Sequence, residues 1–241
     1  MFDALRERAA RAGILLDFDG SLAPIVARPE LAAPAPGVRE ALTAVVDLYA
    51  VVAVVTGRRA EEVADLLSVR GLRYEGLYGL QAGSAELTFP GREQVERAAA
   101  TVDGAWVEDK GASAAIHYRQ TSEPGRARVT LLASLAPLAS QAGMAVIEGK
   151  MVLEIVPRDR PLKGGAVERI VGEENLEAVL YAGDDLADLE AFAVLDRLRA
   201  RGLLTVKVAV RADGTPEALL EGADRIVDGS LGLVELLREL V

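Results

Sequence analysis

Two aspartates separated by one residue, Asp17 and Asp19, follow a short apolar run that begins at Ile14. Side chains alternate along a β-strand, so both carboxylates are expected to point the same way where the chain leaves the strand, with Phe18 pointing the other way. Ligands of open α/β sheets bind at the carboxyl ends of the strands. The two aspartates are therefore candidate catalytic or metal-binding residues, although an isolated pair of this kind could equally cap the following turn.

Polar side chains also stand at three other candidate strand ends or helix starts: Thr56, Arg58, Lys163, Asp184 and Asp185. Each has an ordinary structural interpretation by itself, as a helix cap, a surface cation or an acid near a helix N-terminus. Their order and their common position at the ends of elements that would share one sheet favour a single site.

The chemistry of such a site follows from its ligand atoms. Gathered carboxylates repel one another by roughly 1 to 4 kcal/mol per pair, so a cation must lie among them. Oxygen ligands without His or Cys select a hard ion, and room for a phosphate and waters suits Mg²⁺ better than Ca²⁺. Lys163 and the Thr56 hydroxyl can hold phosphate oxygens. The pattern predicts phosphoryl transfer onto a carboxylate, with the second aspartate of the pair moving the protons.

Composition excludes several other classes of function. The chain has 241 residues with 27 Lys and Arg against 37 Asp and Glu, a net charge of −10. Such an acidic surface repels nucleic acids and anionic membranes, so neither is expected as a partner. The chain has no Cys and a single His, His117, which removes disulfide frameworks, thiolate metal sites and cysteine nucleophiles. The N-terminal residues have the pattern of neither a signal peptide nor a membrane anchor, which predicts a cytoplasmic protein.

The elements that must position these residues are indicated by hydrophobic patterning. Short apolar runs alternate with amphipathic stretches at both ends of the chain, which predicts an α/β fold with a Rossmann-like parallel-sheet core. The predicted strands are Ile14–Phe18, Val51–Val55, Val179–Tyr181 and Val206–Val210. The predicted helices of this core are Arg59–Leu67, Gly165–Val171 and Leu231–Leu240. The proline-rich segment Pro24–Pro36 is predicted to be a loop.

The middle of the chain has the pattern of antiparallel hairpins joined by short turns. The predicted strands are Val102–Val107, Ala112–Arg119, Met144–Glu148 and Met151–Val156. Helical patterns at Glu93–Ala100 and Ala127–Ser140 precede the two pairs. We therefore predict an inserted α+β domain at residues 90–160, with residues 1–89 and 161–241 forming the core.

Four of these segments resemble, in the right order, the motifs of the haloacid-dehalogenase (HAD) phosphatase superfamily: Asp17–Ser21, Thr56–Arg58, Lys163 and Gly183–Asp185. Within the superfamily the chain is most similar to the trehalose-6-phosphate phosphatase family. The segments that carry this likeness are Asp17–Pro24, Val107–Gly111, His117–Arg119 and Gly183–Asp188.

The resemblance implies a Mg²⁺-dependent phosphatase that hydrolyses trehalose 6-phosphate through an aspartyl-phosphate. It implies Asp17 as the nucleophile, Asp19 as the general acid and base, and Thr56 and Lys163 as phosphate ligands. The metal ligands would be Asp17, the backbone carbonyl of Asp19 and Asp184, with Asp185 and Asp188 in support. The inserted domain would be a cap that closes on the substrate and recognises the sugar.

The resemblance assigns five residues to the sugar: Glu108, Lys110, Arg119, Lys150 and Glu154. Glu108 and Lys110 flank one predicted hairpin turn, and Lys150 and Glu154 flank the other. Arg58 would lie near the phosphate. Adjacent strands could present the hairpin residues together on one face, and carboxylates and cations suit sugar hydroxyls. The residue pattern alone favours a solvated position for Lys150. His117 is predicted to be a packed or hydrogen-bonded strand residue rather than a catalyst.

Two alternatives remain open at this point. The same chemistry could act on another sugar phosphate, such as sucrose phosphate or a mannosyl phosphoglycerate. The chain could also be a non-catalytic sugar-phosphate-binding partner of a synthase, although retention of a mutually repulsive acidic set favours an enzyme. A trehalose-6-phosphate synthase is a candidate partner.

Overall fold

The computed structural model of the chain describes residues 1–79, 91–110, 113–158 and 163–241. These residues form two compact units. The first unit combines residues 1–79 with residues 163–241, and the second contains the described residues from 91 to 158. The predicted domain boundaries at residues 89/90 and 160/161 lie outside the described residues, as do Gly111 and Ala112.

Each unit has its own β-sheet. The strands of the chain, in order, are β1 Ala12–Leu16, β2 Val51–Val55, β3 Arg73–Glu75, β4 Trp106–Asp109, β5 Ala114–His117, β6 Met144–Gly149, β7 Val152–Pro157, β8 Ala178–Gly183, β9 Leu204–Arg211 and β10 Arg225–Asp228. In the first unit the described strands form a parallel sheet in the order β10-β9-β8-β1-β2-β3. In the second they form an antiparallel sheet in the order β4-β5-β7-β6.

The α-helices of the described residues, in order, are α1 Phe2–Arg6, α2 Val38–Val46, α3 Ala60–Leu67, α4 Arg92–Ala99, α5 Pro124–Gln141, α6 Lys163–Glu173, α7 Asp188–Ala200, α8 Glu217–Gly222 and α9 Gly229–Glu239. Short 3₁₀ segments occur at Ala9–Arg11, Pro29–Leu31 and Gly76–Gly79. Helices α4 and α5 belong to the second unit. The predicted α/β fold is confirmed, and the predicted loop at Pro24–Pro36 contains one of the 3₁₀ turns.

The parallel sheet has apolar layers on both faces, which explains its unbroken apolar strands. Every residue of β1, β2 and β8 is buried. Ile14 packs in one cluster with residues of α2 and α9, whereas its neighbour Leu15 packs in another with residues of α6 and α7. Strands covered by helices on both faces lose the polar alternation of half-exposed strands.

The strand order brings three candidate segments to one edge of this sheet. Strands β8, β1 and β2 are neighbours and run parallel, so the residues that follow them lie at the same edge. β1 ends at Leu16, two residues earlier than predicted. The Asp17 N–H still donates to Ala182 O at 2.9 Å, and Phe18 packs in the cluster of Ile14. The predicted opposite directions of Asp17 and Phe18 are thereby explained.

In the second unit, α4 and α5 cover one face of the antiparallel sheet. Their apolar side chains share a cluster with Ile116, Leu153 and Ile155. The alternate residues of the same strands therefore lie on the opposite face. The predicted strand Val102–Val107 is wrong in its first part, because β4 begins at Trp106. Val102 N–H donates back to Ala99 O at 3.0 Å, so this segment forms a turn after α4 and not a strand.

None of the helices in the ranges that the structure describes is long and apolar enough to cross a bilayer.

Candidate active site

A buried lysine joins two buried aspartates at the carboxyl edge of the parallel sheet. Lys163, the first residue of α6, lies 2.8 Å from Asp17 Oδ1 and 2.7 Å from Asp188 Oδ1. The side chains of Lys163 and Asp17 are 2% and 5% exposed, and Asp188 is fully buried. One ammonium between two ionised carboxylates leaves a charge of about −1 in a buried place, and a further cation would balance it.

Asp188 is saturated with hydrogen bonds. Its Oδ1 accepts from Lys163 Nζ and from the Tyr181 hydroxyl, both at 2.7 Å. Its Oδ2 accepts from the backbone N–H groups of Asp184 and Asp185, at 2.8 and 2.9 Å. Four donors occupy the acceptor capacity of a carboxylate. Asp188 therefore holds the chain after β8 in place and orients Lys163, and is poorly suited to direct metal ligation.

Burial and neighbouring charge set the protonation of this group. Burial raises the pKa of Asp17 well above its usual range, against the opposing effect of Lys163. Burial acts to lower the pKa of Lys163, but Asp17 and Asp188 outweigh it, so this pKa is raised and the ammonium stays charged. Burial acts to raise the pKa of Asp188, but Lys163 and the hydrogen bonds lower it below its usual range. A further cation beside Asp17 would favour its ionised form.

The carboxylate of Asp184 fills the space beside Gly20. A Cβ on Gly20 would lie 2.1 Å from Asp184 Oδ2, and Gly20 has a φ of +89°. Glycine is therefore required at this position for two reasons: its backbone conformation and the close approach of Asp184. The contact brings the segment that follows β8 against the residue next to Asp19.

The donor set fits a hard divalent cation. Carboxylate oxygens of Asp17, Asp184 and Asp188 lie within 4.8 Å of one another. All three are hard oxygen donors of the kind that Mg²⁺ prefers. Because Asp188 is occupied by four donors, Asp17 and Asp184 are the two side chains suited to ligation. The division between metal ligands and supporting residues that the resemblance implied stays a prediction.

Asp185 contributes to the loop between β8 and α7. Its Oδ1 accepts from the backbone N–H of Ala187 at 2.9 Å and from that of Asp188 at 3.3 Å. Burial raises the pKa of Asp185 to about 7, with Lys163 opposing this shift and Asp188 and Asp184 adding to it. Its side chain lies 3.9 Å from Lys163 Nζ, farther than the other two paired aspartates.

Asp19 is held by an arginine and not by Lys163. Arg58 donates from Nε and Nη2 to the two carboxylate oxygens of Asp19, at 2.7 and 2.8 Å. Its Nη1 donates to Pro29 O at 3.1 Å and pairs with Glu62. Burial acts to lower the pKa of Arg58, but Asp19 and Glu62 outweigh it and the pKa is raised. The predicted contact of Arg58 with substrate stays a prediction, since its guanidinium is engaged by these protein groups.

Thr56 is buried immediately after β2. Its Oγ1 accepts from the Arg58 N–H at 3.1 Å, and its own N–H donates to Glu75 O at 3.0 Å. The sheet order places Thr56 at the edge that carries Asp17. Its role as a phosphate ligand stays a prediction.

Two of the candidate sugar residues of the second unit, Glu108 and Glu154, share the face of its sheet opposite α4 and α5. We call this the polar face and define it by Glu108, His117 and Glu154. Glu108 on β4 and Glu154 on β7 both oppose Ala115 on β5. Strand β5 thus lies between β4 and β7, whose polar residues were predicted to lie on adjacent strands. Lys110 reaches across this gap to Glu154 Oε1, at 2.6 Å.

Arg119 and Lys150 meet at the turn between β6 and β7. Arg119 Nη2 donates to the backbone oxygen of Lys150 at 2.7 Å. The next residue, Met151, has a φ of +63° and accepts from the Tyr118 N–H at 3.1 Å. Arg119 therefore holds this turn. Lys150 is partly buried, and its predicted solvated position stays a prediction.

Sequence reasoning missed two partners of the site residues. Tyr181 ends the predicted strand Val179–Tyr181, and its hydroxyl also donates to Asp188. A tyrosine within an apolar buried run needs a partner for its hydroxyl, and that requirement is the signal that could have found it. Glu62, one helical turn after Arg58, was assigned only to a helix and pairs with that arginine.

Known proteins share the sequence pattern of this chain. The model of the trehalose-phosphatase family matches residues 15–87 and 91–217. A Mycobacterium tuberculosis protein named an uncharacterized glycosyl hydrolase is 33% identical over 220 residues, covering 80% of this chain and 16% of that protein. Trehalose-phosphate phosphatase B of Arabidopsis thaliana is 30% identical over 241 residues, covering 86% of this chain and 63% of that protein. This chain thus spans less than two thirds of the length of either relative.

The fold is also found in a solved structure. The C-terminal domain of trehalose-6-phosphate phosphatase from C. albicans has a TM-score of 0.82 with this chain. The two are 20% identical, and the alignment covers 99% of this chain and 95% of that one. At this identity the likeness concerns the fold.

Proposed function

Because this chain belongs to the trehalose-phosphatase family, we propose that it hydrolyses trehalose 6-phosphate to trehalose and phosphate. The membership confirms the resemblance predicted from the motifs. The observation that carries the proposal is the buried Asp17 carboxylate at the end of β1, held 2.8 Å from Lys163 Nζ within the matched segments. A nucleophilic carboxylate beside a fixed cation is suited to attack on a phosphate group.

The proposed reaction has two steps. In the first, an oxygen of Asp17 bonds to phosphorus while the bond from phosphorus to the sugar oxygen breaks, and Asp19 gives that oxygen a proton. In the second, Asp19 takes a proton from a water whose oxygen attacks phosphorus. The bond to Asp17 then breaks, and phosphate leaves. Lys163 and Thr56 would hold the phosphate oxygens through both steps.

Mg²⁺ is part of the proposal because the donor set described above suits it. Asp17, Asp184 and the backbone carbonyl of Asp19 would hold the ion, with Asp185 and Asp188 in support. A bound Mg²⁺ neutralises phosphate charge and makes phosphorus easier to attack. The saturated hydrogen bonding of Asp188 supports its assignment outside the ligand set.

The second unit would bind the sugar through its polar face. The residues proposed for this role are Glu108, Lys110, Arg119, Lys150 and Glu154. Carboxylates and cations offer paired hydrogen bonds to sugar hydroxyls. The shared row of Glu108 and Glu154 around Ala115 supports this assignment. Association with a synthase and a cytoplasmic location stay predictions.

The function is tested by phosphate release from a panel of purified sugar phosphates, with and without EDTA. We expect trehalose 6-phosphate to give the highest kcat/KM, and EDTA to abolish turnover in a way that added Mg²⁺ restores. A higher kcat/KM for sucrose phosphate or a mannosyl phosphoglycerate would replace the proposed substrate. Binding of the sugar phosphate without any release of phosphate would instead favour a non-catalytic partner of a synthase.

The nucleophile is tested by Asp17→Asn. We expect no turnover with Mg²⁺ and an unchanged far-ultraviolet circular dichroism spectrum, because the amide keeps the shape of the side chain but lacks the negative charge that makes the carboxylate a nucleophile. Turnover close to wild type would discard Asp17 as the nucleophile.

The polar face is tested by Glu154→Ala, which should raise KM for trehalose 6-phosphate far more than KM for a small aryl phosphate. Glu148→Ala is the matched control, because Glu148 lies on the other face of the same sheet and pairs with Arg128 of α5. Equal effects of Glu154→Ala on both substrates would argue against a sugar site on this face.

A further inference from the structure

The one histidine and the one tryptophan of the chain lie side by side on the polar face. Trp106 on β4 and His117 on β5 are directly opposite in the register. Their rings stack, with centroids 4.1 Å apart and planes inclined by 13°. Such a stack restricts rotation of the imidazole, because turning the ring would break the contact with the indole.

The Nε2 edge of the imidazole faces a carboxylate. His117 Nε2 lies 2.8 Å from Glu108 Oε2. Glu108 follows Trp106 by two residues on β4, so both side chains lie on the same face. An ionised carboxylate can only accept, which places the proton on Nε2 as the donor. The side chains of His117 and Glu108 are 16% and 23% exposed, so water competes little for this bond.

This arrangement parallels the one around Glu154. Lys110 holds the Glu154 carboxylate at 2.6 Å, as His117 holds that of Glu108. The two glutamates flank Ala115, two strand spacings apart, which is about 10 Å. A sugar ring with its hydroxyls can bridge this span. Each carboxylate of the polar face therefore has its own donor that fixes its direction.

We propose that His117 is a positioning residue for sugar recognition, which acts through Glu108 and is itself held by its stack on Trp106. The proposal rests on the proposed function, because it concerns the same sugar site. It places no contact between His117 and the substrate. His117 orients the Glu108 carboxylate before the sugar binds, so that little conformational freedom is lost on binding.

A purely structural role of His117 predicts a different result when the residue is replaced. If His117 only filled space against Trp106, an apolar residue of similar size would serve and Glu108 would be unaffected. If His117 acts through Glu108, the effect of its replacement must depend on Glu108. A double-mutant cycle measures this dependence.

The experiment compares His117→Leu and His117→Gln in the wild-type and Glu108→Ala backgrounds. The readout is the ratio of kcat/KM for trehalose 6-phosphate to kcat/KM for p-nitrophenyl phosphate. Loss of a hydrogen bond to a charged group predicts that His117→Leu lowers this ratio about tenfold. His117→Gln keeps an N–H donor and should recover most of the ratio. Trp106→Phe keeps an aromatic ring beside the imidazole and should have a smaller effect than His117→Leu.

In the Glu108→Ala background, His117→Leu should lower the ratio no further. The proposal is overturned if His117→Leu changes the ratio less than twofold, or if its effect is as large in the Glu108→Ala background. Thermal unfolding of each variant identifies one that fails to fold. If His117→Leu does so, His117→Ala, which also lacks the donor, takes its place in the cycle under the same two criteria. Failure of the proposed function gives a separate result, since the wild-type protein itself would release no phosphate from trehalose 6-phosphate.

Discussion

Replacing Asp188 by Asn should destabilise the first unit strongly while changing the side chain by a single group. The carboxylate accepts four hydrogen bonds, two at each oxygen. Asparagine has one oxygen and one NH₂ group, so one pair of donors must face another donor in either orientation. Depending on which way the amide is turned, the donors that face its NH₂ group are either those of Lys163 and Tyr181 or the two backbone N–H groups.

The size of the effect follows from these contacts. A buried donor left unsatisfied costs about 1–3 kcal/mol, so two donors give about 2–6 kcal/mol. Removing one partner of a buried ion pair costs about 3–5 kcal/mol, which lies in the same range. Tyr181→Phe is the matched variant, because it removes one of the four donors and leaves Lys163 paired. A hydrogen bond to a charged group predicts a smaller loss for it, about 1.5–3 kcal/mol.

The measurement must report on the first unit alone, since a chain of two units need not unfold in one transition. Amide hydrogen exchange in β1 and β8 provides the free energy of opening of the sheet beside Asp188. EDTA in every sample excludes differences in metal binding. An Asp188→Asn variant within about 0.5 kcal/mol of wild type, or a Tyr181→Phe variant that is the more destabilised of the two, would refute this reasoning.

Three further perturbations test other contacts. Gly20→Ala should displace the Asp184 carboxylate, since the added Cβ would meet it at 2.1 Å. The Mg²⁺ concentration for half-maximal activity should then rise about tenfold or more. An unchanged value would contradict the assignment of Asp184 as a metal ligand. Arg58→Met should lower kcat for trehalose 6-phosphate and for an aryl phosphate by similar factors, because Asp19 loses the side chain that holds it. A change confined to KM for the sugar phosphate would instead support direct substrate binding by Arg58. Asp224→Asn should lower stability at pH 7, because burial acts to raise the pKa of Asp224 but Arg199 and the Lys207 N–H lower it below its usual range. A group whose pKa is lowered in the folded state stabilises the fold at pH values above its unfolded-state pKa of about 3.9, and this stabilisation is lost as the pH falls through the folded-state pKa. In urea unfolding, the stabilities of the two proteins should therefore converge below about pH 4. A constant difference down to pH 2 would exclude this linkage.

The local pattern of the sequence was enough to predict which segments carry the candidate site residues. Apolar runs such as Val51–Val55 are buried strands in the structure, and polar residues follow them at the sheet edge. Burial of apolar surface is a property of short segments, so hydrophobic patterning reports it directly. The segment Val102–Ala105 was mistaken for a strand because it is short, and its backbone hydrogen bonds are used in the turn after α4.

The pairing of these groups was decided by the tertiary structure. The sequence places Asp17 and Asp19 together, but Lys163 pairs with Asp17 while Arg58 takes Asp19. The sequence places Glu108 and Glu154 on two hairpins, whereas the sheet order inserts β5 and Ala115 between them. Partners of this kind depend on strand order, register and side-chain rotamers, which arise from contacts between segments far apart in the chain. Local propensity contains no information on such contacts, so the chemistry of the site could be predicted from residue types while its electrostatics required the folded chain.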